Sequence, residues 1–118
     1  MAQYYHVTER AFLSQILMDG LAGGWGDDGF GVYVYDNLFS ARAYAAKNGW
    51  DGELANPAIL LLEEKEGRLD TITPNPGWPN PEDYLSVRVY RMEDLDGEEE
   101  KWRPAMTVID FETPEIRP

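Results

Sequence analysis

The only histidine of the chain, His6, lies in the stretch QYYHVT, beside Tyr5 and two residues before Thr8. An imidazole both donates and accepts hydrogen bonds and changes charge near neutral pH, so a lone one serves a site or a structural hydrogen bond. Tyrosines recur farther along, at Tyr33 and Tyr35 in GVYVYDN and at Tyr44 in SARAYA. Carboxylates fall in two pairs at strand-like segments, Glu63–Glu64 closing AILLLEE and Glu82–Asp83 just before Tyr84. Such a pair can face a developing positive charge or take a proton, and it can equally cap a turn.

Composition narrows the chemistry. With no cysteine and a single histidine, neither a thiolate metal site nor a histidine-rich one can be built, and no disulfide framework exists. The 22 acidic against 10 basic side chains leave a net charge of −12, which repels nucleic-acid phosphates unless the few cations cluster. The longest unbroken apolar run is Ala58–Leu62, far below the roughly 20 residues of a membrane helix, and no basic-then-apolar leader precedes it. A soluble, unprocessed, cytoplasmic protein without membrane contact is the expectation. At 118 residues the chain is the size of one domain, taken as 1–118.

The elements that must position these residues can be read from periodicity. QYYHVT alternates as a first strand, with Tyr4 and His6 on one face and Tyr5 and Val7 on the other. Thr8 is placed to cap a following helix, whose stripe is Ala11, Phe12, Gln15, Ile16 and Met18–Asp19, with Gly20 as its stop. AGGWGDDGFG holds five glycines in ten residues without side-chain period, and reads as a loop able to approach a ligand closely. GVYVYDN is a second strand, Val32 and Val34 opposite Tyr33 and Tyr35. Asn37 caps the next helix, striped by Leu38, Ala41, Tyr44 and Ala45 and stopped by Asn48-Gly49. PAILLLEEK, DYLSVRVYRM and AMTVIDFE read as later strands, the second beginning at Tyr84. TPNPGWPNPED reads as a turn-rich crossing and DLDGEEEKW as an acidic, solvated turn. The order β-α-β-α followed by strands gives an α+β fold, helices packed on a largely antiparallel sheet.

YHVT, a helix ending ILMDGL, and GVYVYDNLFSARAYA together resemble the NAD-binding half of the ADP-ribosyltransferase superfamily. The likeness is to its histidine–tyrosine type, which includes poly(ADP-ribose) polymerases, tRNA 2′-phosphotransferases and DNA-modifying toxins. It covers about the first 45 residues well and the remainder loosely. The resemblance implies an ADP-ribosyltransferase-like split sheet in which His6 and Thr8 hold the ribose next to nicotinamide. It implies Tyr33 and Tyr44 as the two rings around nicotinamide, and Ser40, one residue before Ala41, as the carboxamide contact. The third motif, an acid just before a tyrosine, falls on Asp83 by adjacency and on Glu82 by chemistry. Val7 stands where many members carry glycine.

Cleavage of the nicotinamide–ribose bond passes through a cationic, oxocarbenium-like state. A site for it fixes the ribose, stacks the leaving ring and sets a carboxylate near the charge. His6, Tyr33 with Tyr44, and Glu82 or Asp83 would supply these functions, and Arg42 and Arg10 are candidate diphosphate contacts. The implied activity is transfer of ADP-ribose from NAD, as substrate, to a protein or nucleic-acid acceptor by a small toxin-like transferase. The alternative from another class is a non-catalytic acidic module of the same fold that binds a basic partner. Such a module would act as an inhibitor of the phage anti-defence or nucleic-acid-mimic type. A tRNA 2′-phosphotransferase would bring more arginine and lysine for its RNA.

Overall fold

The computed structural model describes residues 2–49, 52–72, 76–77, 84–94 and 100–109. Strand β1 (Ala2–Glu9) pairs antiparallel with β5 (Pro57–Glu64) along its whole length, from Ala2↔Glu64 to Glu9↔Pro57. On the far side of β5 lies β9 (Ala105–Ile109). On the other side of β1 lies β4 (Gly29–Tyr35), then β7 (Val87–Arg91) and β6 (Leu69–Thr71). The sheet order is therefore β6-β7-β4-β1-β5-β9, with β3 (Gly24–Gly26) hairpinned onto β4, and every pairing is antiparallel. This is the expected α+β class with a largely antiparallel sheet. No helix among the described residues is long and apolar enough to cross a membrane.

Each face of the sheet buries its own cluster, because alternate side chains of a strand point to opposite faces. On one face Val32, Val34, Leu60 and Leu62 pack with Leu21, Tyr90 and Trp102, and Leu13 and Ile16 of α1 (Leu13–Asp19) lean on them. On the other face Ile59 packs under α2 (Leu38–Ala46), where Ala41 and Ala45, one helical turn apart, are small enough to seat the helix on the strands. The Asn37 cap forms as expected, its side chain accepting from the Ser40 N–H at 2.8 Å. Asn48 and Gly49 end that helix with φ of 61° and 82°.

Several sequence expectations are corrected. Thr8 does not cap a helix: β1 runs on through Glu9, and a 3-10 turn over Arg10–Phe12 precedes α1. That tighter turn shifts the helical phase, so Leu13 and Ile16 face the core while Phe12 and Met18 are 59% and 78% exposed. Gly20, at φ 97°, does stop the helix. The glycine-rich stretch is not a loop. It forms β2 (Leu21–Ala22) and then β3, which turns through Asp27–Asp28 and Gly29, at φ 100°, into β4. Glycines allow that close pairing without leaving any side-chain alternation to read. The strand expected from Tyr84 begins only at Val87, residues 84–86 being a turn. Lys101–Trp102, expected in an acidic turn, is strand β8, paired with β2, and Trp102 stacks on Tyr90 with ring centres 4.3 Å apart. Strand β6 was not foreseen. Most of TPNPGWPNPED, residues 95–99 and residues 110–112 lie outside the described residues.

Candidate functional site

Where β1 and β4 meet, the register is held at Tyr5↔Tyr35, and from there the two strands part. A cleft of about 690 Å³ opens at this split. His6 and Val7 contribute from β1, Tyr33 to Tyr35 from β4, and the turn before β7 adds Tyr84 and Ser86. Residues Ser40, Ala43, Tyr44 and Lys47 recur at three and four, so one face of α2 and its C-terminal end look into the space. The hairpin brings Trp25, Gly26 and Asp27. The volume lies within the roughly 300 to 1,000 Å³ of small-molecule sites.

His6 spans the split. Its Nδ1 lies 2.9 Å from the Tyr33 carbonyl, and because a carbonyl only accepts, Nδ1 carries the proton. In the neutral ring Nε2 then keeps its lone pair, an acceptor for a ligand hydroxyl. The ring is half-buried by surface, but its protein surroundings are dense, and desolvation pushes its pKa below the ordinary 6.5 while the carbonyl bond pulls the other way. The neutral form prevails at physiological pH.

Tyr33 lines the cleft and is also tied to the hairpin. Its hydroxyl donates to the Gly29 carbonyl at 2.6 Å and accepts from the Asp28 N–H at 2.9 Å, which fastens it to the hairpin tip. Burial raises its pKa above the ordinary tyrosine value, the bond from Asp28 opposing this. The ring that Tyr44 meets is that of Tyr35, with centres 5.7 Å apart and planes tilted by 50°. The Tyr44 hydroxyl donates to Glu53 at 3.3 Å, and Ser40 Oγ accepts from Ser86 Oγ at 3.0 Å.

Of the residues singled out from sequence, His6, Tyr33, Ser40 and Tyr44 converge on the cleft, and Thr8 and Arg42 do not line it. Thr8 is buried opposite Ala58, inside the complete β1–β5 ladder, and Arg42 is exposed on α2. Arg10 is tied to the start of β5, its Nη2 donating to the Pro57 carbonyl at 3.1 Å. Glu82 and Asp83 lie outside the described residues, although Tyr84 beside them is a cleft residue. Glu64 sits four residues along β5 from Leu60, the partner of His6, and its carboxylate accepts the N–H groups of Glu66 and Arg68. It closes a turn and is not a cleft acid. Sequence reading named the stretch holding Trp25 and Asp27 as able to approach a ligand, but it missed Phe39, Lys47 and Ser86. Among the described residues no group of three or more histidine or acidic side chains could hold a metal ion.

Comparison with protein-family models, with curated proteins and with solved structures finds no match to this chain.

Proposed function

We propose that this protein is an NAD-dependent mono-ADP-ribosyltransferase. The observation that carries the reading is the split between β1 and β4, because the histidine of the first motif and the tyrosines and helix of the second border one cleft there. His6 Nε2 accepts from a ribose hydroxyl, its other nitrogen being held by the Tyr33 carbonyl. The nicotinamide stacks at the Tyr35–Tyr44 pair in place of the pair Tyr33 and Tyr44. Ser40 offers its hydroxyl to the carboxamide, and Lys47 replaces Arg42 and Arg10 as the cation for the diphosphate. The bond from ribose C1′ to nicotinamide then breaks with its electron pair leaving on the ring, and the acceptor adds to C1′ with loss of a proton. Glu82 or Asp83, which precede the cleft residue Tyr84 in sequence, would supply the carboxylate for the cationic state in this reading.

The test is incubation with labelled NAD and a cell lysate, alongside direct titration with NAD. Label on a macromolecule that His6→Ala abolishes, with the variant still folded, supports the transferase. Absence of both NAD binding and labelling overturns it. The net charge of −12 favours the second reading, an acidic module that binds a basic partner, and this reading then stands alone.

A further inference from the structure

Where β5 turns toward β6 and β8 runs on to β9, a second cavity of about 380 Å³ opens, and it shares no lining residue with the cleft. Glu64 builds its rim. The residue is buried, and its carboxylate accepts the N–H groups of Glu66 at 2.9 Å and Arg68 at 3.4 Å, while Gly67 between them takes a φ of 66°. The turn is thereby fixed, and with it the root of Arg68. The guanidinium is held as well, its Cζ lying 4.5 Å from the centre of the Tyr90 ring, which stacks in turn on Trp102. Tyr90 and Trp102 belong to the buried cluster, so Arg68 is the exposed layer of a stack rooted in the core.

Arg103 comes from the other wall. A Cβ on Gly20 would lie 2.7 Å from Arg103 Cγ, so the aliphatic stem of the arginine rests against a backbone that only glycine leaves open. Elsewhere Arg88 and Arg91 are committed to Asp36, Asp28 and Asp70. Among the described residues, neither side-chain guanidinium at this cavity makes a hydrogen bond or an ion pair, and the Lys65 ammonium on the same lining makes none either. A guanidinium presents a planar fork of donors that matches a carboxylate with two parallel bonds. The remaining lining sets the charge of the ligand. Glu63 and Glu66 also border the cavity, so its three cations face three carboxylates, of which Glu64 is already satisfied by the turn. A planar monoanion fits that balance, whereas a phosphate dianion meets stronger repulsion from the two other acids.

We propose that this cavity is a binding site for a carboxylate, received in the fork of Arg68 and bonded from the opposite wall by Arg103. The ligand ties the turn after β5 to the segment between β8 and β9. A free carboxylic acid and the C-terminal carboxylate of a peptide share this chemistry. Because the two cavities have no residue in common, the outcome is independent of the transferase reading.

The probes are propionate, an acetylated tripeptide with a free C-terminus, the same tripeptide amidated, inorganic phosphate, and sodium chloride at matched ionic strength. The readout is the Arg68 Nε–H signal in NMR spectra, assigned by its loss in Arg68→Lys, together with the backbone amide of Glu66. Saturable shifts are expected with propionate or the free tripeptide, and none with the amidated one or with chloride. A response to the tripeptide alone identifies the source as a chain terminus, and a response to propionate as well identifies the carboxylate itself as sufficient. Arg68→Lys keeps the charge but loses the fork, and is expected to weaken binding, followed at Glu66, by about tenfold. Arg103→Gln is expected to weaken it by about threefold. Both side chains are exposed, so both variants keep the native circular dichroism. Absence of a saturable shift with either acid overturns the proposal. So do equal shifts with chloride or the amidated peptide, tighter binding of phosphate than of either acid, and undiminished binding in Arg68→Lys.

Discussion

β1 has two neighbours and treats them differently. Toward β5 its ladder is complete, and the side chains there, Leu60 and Leu62 on one face and Ile59 on the other, are sealed from water. Toward β4 the register is held at Tyr5↔Tyr35, and beyond it the strands separate around His6, whose ring supplies a hydrogen bond to the Tyr33 carbonyl across the gap. A full ladder satisfies the backbone and leaves only apolar packing to optimise. An opened one leaves polar backbone that side chains must reach, and it makes room for a ligand. The same strand thus lies in a closed ladder along one edge and borders the cleft along the other.

The sharpest break of this contrast comes from truncation on the closed side. Leu60→Ala is expected to cost about 2–5 kcal/mol in chemical denaturation, through lost burial and a cavity in a fully buried position. Tyr44→Ala on the open side removes a half-buried ring whose contact with Tyr35 is worth about 1 kcal/mol. Equal losses would mean that the cleft is part of the core. Next in size, Tyr33→Phe keeps the ring but deletes two hydrogen bonds, at a cost of about 1–2 kcal/mol. Faster amide exchange at Asp28 in that variant would sharpen the assignment of Tyr33 as a brace for the hairpin. Asn37→Ala should cost about 1 kcal/mol by thermal melting, since the Ser40 N–H loses its cap.

A further contrast is the effect of pH on His6. Its folded pKa lies below 6.5, so above that value the ring is neutral in both states and costs nothing. As pH falls below 6.5 the unfolded chain binds a proton that the folded chain refuses, and stability declines until the lower folded pKa is passed. Denaturation curves across this window for the native chain and for His6→Gln should differ by that slope. Because no other histidine exists, the difference belongs to His6, and a slope of opposite sign would mean a protonated ring at the split.

Much of the site was legible one element at a time. Alternation placed Val32 and Val34 opposite Tyr33 and Tyr35, and the strand has that geometry, with the valines buried. The expected helix stripe grouped Tyr44 with Leu38, Ala41 and Ala45, but the two alanines are buried while Tyr44 looks into the cleft. The pairing of tyrosines was harder, because Tyr33 and Tyr35 share a face and only the seat of α2 decides which of them Tyr44 meets.

Local physics therefore determined the elements whose signals reside in neighbouring residues: the period-two strands β1 and β4, the unbroken apolar run of β5, the Asn37 cap, and the stops at Gly20 and Asn48-Gly49. Tertiary structure alone decided what depends on residues far apart in the chain. Trp102 becomes core because β8 pairs with β2, some eighty residues away, and stacks on Tyr90. The glycine-rich stretch becomes a hairpin because β4 offers it an edge, and glycines carry no side-chain pattern from which that pairing can be read. The cleft exists because β1 continues along β5 where it leaves β4, and strand order and register follow from which surfaces meet, a long-range choice that no window of the sequence contains.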